Sequence, residues 1–279
     1  MDLATSEAVV RVTVFAASLA LFAVVEAVSP RRRRTVARRR RWTGNLGLVV
    51  VDTILVRAVP FLSAVAMAGL AETQGWGLLR TLGPLPIAVS IGASVVLLDL
   101  AVYAQHRLFH TLPVLWWVHR VHHTDPELDA TTGVRFHPVE IMLSATFKVA
   151  VVGVLGAPIV GVIVFEIVLN AGSLWSHANL RLPASADRLL RMVLVTPDMH
   201  RVHHSVDPVE LNRNFGFTLS WWDRLFGTYR AQPAMGHEAM SLGVAGFHAP
   251  DVLSLGLLLI QPLRRESDPL HGTVCGTRR

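Results

Sequence analysis

Eight histidines fall in three short clusters. His106 and His110 form HRLFH, His119, His122 and His123 form HRVHH, and His200, His203 and His204 form a second HRVHH. Side chains at i, i+3 and i+4 of a helix share one face, so each cluster offers two or three imidazoles to a single locus. Neutral imidazole is a strong ligand for iron, zinc, copper and nickel. Eight imidazoles exceed what one such ion takes up, and two ions are the economical reading. Two further histidines, His137 in RFHPVE and His177 in WSHAN, lie between the clusters and join the candidate ligands. His237, His248 and His271 stand alone and read as solvated or core side chains. Ligating imidazoles usually donate their second N–H to a carboxylate, amide or carbonyl. Asp99, Asn179, Asp198, Asn214 and Asp223 are candidates for that role, each equally readable as a helix cap or an ion-pair member. The one cysteine, Cys275, excludes both a disulfide within the chain and a cysteine-based metal site.

The elements that must position these residues read as membrane helices. Of 279 residues, 52% are hydrophobic and only 16% charged, against about 25% charged in a soluble domain; mean hydropathy is +0.45. Residues 9–29, 46–70 and 84–105 are long enough to cross a hydrocarbon core, which takes about 20 apolar residues in helix. The last of these starts at Pro84 and Pro86. The first run follows Asp2 and Glu7 and precedes its arginines, the reverse of a secretory leader, so it reads as a retained helix. Inside the second, Asp52 and Arg57 read as a structural pair, since charges within a span are costly.

The net charge of +6 is carried by arginine, with Lys148 the single lysine. The basic residues are local: residues 31–41 read RRRRTVARRRR beside an apolar run. That placement predicts a cytoplasmic anchor rather than a nucleic-acid surface. The N-terminus is then outside, and the end of the third span near His106 is cytoplasmic. For the His200 cluster to reach the same place, the apolar region 141–172 must turn back on itself at Gly156-Ala157-Pro158. Trp116, Trp117, Trp175, Trp221 and Trp222 are expected near the membrane–water boundary. Residues 251–263, too short to span, lie at the interface or cover the core. An arginine-rich, lysine-poor composition points to a bacterial cytoplasmic (inner) membrane, with several crossings.

HRLFH, HRVHHTD, FHPVE, SHAN and TPDMHRVHHS, followed by NFGFTLSWWDRLFGTY, resemble the sterol desaturase and fatty acid hydroxylase superfamily over roughly residues 90–230. The resemblance implies an all-α integral membrane protein with a transmembrane helical stem of about four segments and short hairpin arms. It implies a cytosolic helical cap holding the metals, and O2-dependent hydroxylation, desaturation or ether cleavage of a lipid. It carries the ligand role, by motif, to His106, His110, His119, His122, His123, His177, His200, His203 and His204, and assigns His137 to a His-Pro motif. WDRLFGTY is expected to pack under the metal site. Three regions follow: a transmembrane region at 1–83, a catalytic domain at 84–235, and a tail at 236–279. Two irons per chain are expected, with zinc able to replace them on purification. A separate ferredoxin, cytochrome or reductase is expected to supply electrons.

Two other readings compete. A zinc hydrolase acting on membrane lipids would need an open metal position and a general base, for which Asp198 or Glu140 would serve, but HExxH is absent. A non-enzymatic metal store or transporter would place its ligands at mid-membrane, whereas these clusters sit at span ends.

Overall fold

In the computed structural model the chain is described over residues 3–247 and 252–264, which leaves His248, His271 and Cys275 outside. The described residues fold into α1 (Leu3–Val28), α2 (Arg38–Arg57), α3 (Ala64–Gln74), a single turn α4 (Leu78–Thr81), α5 (Ile87–Thr111), α6 (Pro113–His123), α7 (Pro138–Leu155) and α8 (Ile159–His177). Shorter helices follow: α9 (Ala184–Leu190), α10 (Pro197–His203), α11 (Pro208–Leu211), α12 (Trp221–Leu225), α13 (Gly236–Ala239) and α14 (Leu255–Ile260). Among the described residues, four helices are long and apolar enough to cross a membrane: Glu7–Val28 of α1, and α5, α7 and α8.

Proline and glycine set the turns. Pro113 cannot continue α5 but suits the first position of a helix. The chain therefore bends at Leu112, and HRLFH ends one helix while HRVHH ends the next. Gly156 closes α7 at φ +61°, a left-handed cap that glycine adopts without strain. Pro158 then starts α8. The expected hairpin is thus present, and His177 at the end of α8 returns to the end where α5 finishes and α7 begins. The expected second span, 46–70, is corrected: it is two helices. Pro60 keeps Val59 out of the helical region (φ −121°, ψ 83°), and Ser63 caps the new helix by accepting from Ala66 N at 3.1 Å.

The main core joins α3, α5, α7 and α8 through Ala68, Leu98, Val152 and Phe165. A second cluster sets Tyr103 of α5 against Phe215, Leu219 and Trp222. A third sets Leu48 of α2 and Val121 of α6 against Leu258 of α14, so of its two alternatives the 251–263 run covers the core.

Charged groups within the bundle are mostly paired. Glu166 of α8 meets Arg11 at 2.7 Å and also Lys148. The expected Asp52–Arg57 pair is not formed: Asp52 is buried while Arg57 is exposed, because the two project from different sides of α2. The arginine segment is woven into the fold. Arg34 and Arg38 meet buried Glu26 at 3.0 and 2.8 Å, and Arg41 binds Asp125 and Asp129. Arg31 N donates to Asn179 O at 3.0 Å, so this segment lies at the histidine end of the bundle.

Candidate metal centre

The histidines converge in two adjoining groups. His106, His110, His119, His123 and His203 bring one ring nitrogen each within 4.8 Å of the others, and His122, His177, His200 and His204 do the same. The HRVHH helices explain the division. On α6, His119 and His123 face one group and His122 the other, and α10 likewise divides His203 from His200, with His204 just beyond its end. The groups share a wall, where the rings of His123 and His204 stack at 4.5 Å between centroids. All nine residues are buried except His110, which is partly exposed.

Four rings are anchored through Nδ1. His106 bonds Phe215 O at 2.8 Å, His203 bonds Arg213 O at 2.7 Å, His177 bonds Ser173 O at 2.7 Å, and His119 bonds a carboxylate oxygen of Glu140 at 2.6 Å. A neutral imidazole that donates from Nδ1 presents only a lone pair at Nε2. Yet the Nε2 atoms face one another: His106–His203 3.0 Å, His106–His119 3.1 Å, His123–His119 3.2 Å, His177–His200 3.0 Å and His177–His122 3.1 Å. Where both rings donate from Nδ1, as in His106–His203 and His106–His119, two lone pairs face each other and repel, and protonation does not relieve them. Burial pushes the His119 imidazole down to about 3. Burial, reinforced by neighbouring imidazoles, also holds His122, His123, His200, His203 and His204 well below the ordinary range. A shared cation relieves the repulsion. A metal with bonds of about 2.1 Å to two imidazoles at a right angle sets their nitrogens about 3.0 Å apart. The donor set therefore fits a metal ion in each group.

The remaining predicted site residues lie elsewhere. His137 belongs to neither group; it caps α7 by accepting from Val139 N at 3.2 Å, and its Nε2 lies 3.1 Å from Leu259 O. None of the five polar candidates has a hydrogen bond to a clustered imidazole. Asp99 accepts from Trp222 Nε1 at 2.8 Å, which buries that tryptophan in the core rather than at the interface. Asn179 holds the backbone of Arg32, and Asp198 pairs with Arg31 and Arg201. Asn214 donates to Met199 O at 2.8 Å. Asp223 acts one bond removed: it accepts from Phe215 N and Gly216 N, both at 2.8 Å, and so fixes the carbonyl that receives His106. Burial raises the Asp223 carboxyl, and these hydrogen bonds act against that rise. The groups that do orient the clustered rings are three backbone carbonyls and Glu140. A carbonyl leaves no mark in a residue code. Glu140 carried a signal, its place in RFHPVE one turn into a helix opened by Pro138.

The family described as fatty acid hydroxylase matches residues 91–228, a span that contains all nine clustered histidines. The ornithine lipid hydroxylase of Rhizobium tropici is 29% identical over 181 residues, 65% of this chain and 52% of that protein. An alkylglycerol monooxygenase of Danio rerio is 31% identical over 132 residues, 47% of this chain and 28% of that protein. A cholesterol 25-hydroxylase of Rattus norvegicus is 28% identical over 141 residues, 50% of this chain and 46% of that protein. The chain thus spans about half the length, or less, of these curated relatives. No solved structure matches it. The matched segment, the relatives and the histidine groups agree: residues 91–228 of this chain form a segment of the fatty acid hydroxylase family.

Proposed function

We propose that this protein is an integral membrane oxygenase that inserts oxygen into a lipid, with one iron in each histidine group. The observation that carries the reading is the convergence of nine imidazole nitrogens in two adjoining groups, each within 4.8 Å of the others in its group. The relatives' activities, on an ornithine lipid, an alkylglycerol and cholesterol, support a lipid substrate. Hydroxylation consumes a C–H bond, O2, two electrons and two protons, and yields C–OH and water. The electrons come from a separate ferredoxin, cytochrome or reductase.

When bound, two redox-active metals supply the activation of O2; the chain supplies the rest. The nine imidazoles would hold the metals without adding negative charge. Phe215 O, Arg213 O, Ser173 O and Glu140 fix ring orientation. Phe109 and Phe215 pack on His119 and His110 and keep water from the first group, as Phe136 does where it stacks on His122 at 4.7 Å. The lipid approaches at His110, the partly exposed member of the groups, beside half-buried Trp116. Its chain lies against the apolar faces of α5 and α7. The arginine segment at this end of the bundle supports a cytoplasmic site in an inner membrane.

Expression in a lipid-producing host under oxygen-18 gas tests the reading. A new lipid carrying the label from O2 is expected. Label drawn from water, or a lipid profile unchanged from a His203→Ala control, would contradict it.

A further inference from the structure

The two histidine groups are not equivalent, and the difference lies in what holds the rings. In the five-histidine group, three Nδ1 atoms are anchored: His106 to Phe215 O, His203 to Arg213 O, and His119 to Glu140. In the four-histidine group only His177 is anchored, to Ser173 O. The Nδ1 atoms of His122, His200 and His204 are buried with no protein hydrogen-bond partner. Among the nine rings, His119 alone is bonded to a carboxylate, and both partners are buried. The second oxygen of Glu140 is buried without a hydrogen-bond partner. A carboxylate on the far nitrogen locks the tautomer and raises the basicity of the metal-facing nitrogen. His119 is also the ring from which two of the close Nε2 contacts in its group radiate, to His106 and His123.

We infer that Glu140 is a positioning residue that makes the five-histidine group the tight metal position, filled first, while the four-histidine group is the weaker, exchangeable one. This rests on the reading of the two groups as a metal centre. It adds an order of filling and names the side chain that sets it. A carboxylate partner of a ligating histidine is typically worth 10–100-fold in metal affinity, and the inferred gap between the two positions is of that size.

The test is anaerobic titration of the chelator-stripped, detergent-purified full chain with cobalt(II). Bound metal per chain and the visible cobalt absorption are read together. The unsubstituted protein is expected to load in two phases with distinct spectra. Glu140→Gln should weaken the tight phase about 10–100-fold and leave the weak one in place, which also reports that the chain is folded. His200→Ala, in the other group, should abolish the weak phase and keep the tight one, so the order remains testable if the Glu140 variant misfolds. A single phase of two equal sites, a Glu140→Gln titration identical to the parent's, or a His200→Ala protein that loses the tight phase would overturn the inference while leaving the metal centre standing. No cobalt bound by the parent would overturn the metal centre itself.

Discussion

Arg41 shows how far single residues carry this molecule. Its side chain is fully buried, with 0% exposed, and bonds Asp125 at 2.7 and 2.8 Å and Asp129 at 2.6 Å. Removing one partner of a buried ion pair leaves an uncompensated charge and costs roughly 3–5 kcal/mol. Arg41→Ala is therefore expected to lower the unfolding temperature in detergent by many degrees, and an unchanged Tm would show that the pair contributes nothing. Asp125 also gives the pH response a sign. Burial would raise its carboxyl, but Arg41, then Arg135 and the Thr132 hydroxyl outweigh burial and bring it to about 2, below the unfolded value of about 3.9. Its stabilisation is present above pH 3.9 and is lost as pH falls toward 2. The metal-stripped protein should lose Tm across that window, and Asp125→Asn, less stable at neutral pH, should lose less there; parallel curves would refute the assignment. The grouping of the clustered histidines was legible because i, i+3, i+4 spacing fixes a helix face whatever the fold. Arg41 was not: eight arginines in one segment read as a cytoplasmic anchor, and sequence does not separate the buried member from Arg33, Arg39 and Arg40 at the surface.

At the scale of elements, the site depends on close approach between segments far apart in the chain. The 3-10 turn Ala130–Val134 packs on α8, where a Cβ at Gly133 would lie 2.4 Å from Ser173 O. That carbonyl anchors His177. Gly133→Ala is expected to push the turn off α8, tilt His177 and release metal from the four-histidine group while the bundle stays folded. Metal analysis with circular dichroism decides it, and full metal retention would show that the turn yields instead. The α7–α8 hairpin was readable from Gly156-Ala157-Pro158, since glycine closes one helix and proline opens the next. The break between α2 and α3 was less so, because an apolar run hides Pro60 until the non-helical Val59 and the Ser63 cap are seen. Carbonyl anchors such as Arg213 O and Phe215 O were illegible, since they are backbone atoms delivered by the fold.

On the scale of the whole molecule, the arginine segment and the histidine groups share one end of the bundle, and the α7–α8 turn lies against Trp76 and Gly77 at the other. With Cys275 replaced by serine, cysteines at Arg33 and Asn212 should react with a membrane-impermeant maleimide only after cells are opened, and one at Thr73 should react in intact spheroplasts. The reverse pattern would invert the orientation. The central claim is the pair of metal positions, and the most direct measurement is metal content per chain on iron-replete protein purified gently without oxygen, beside His203→Ala and His200→Ala. The reading predicts two irons per chain, with one group emptied in each variant. No bound metal in the parent, or iron content untouched by either substitution, would contradict it.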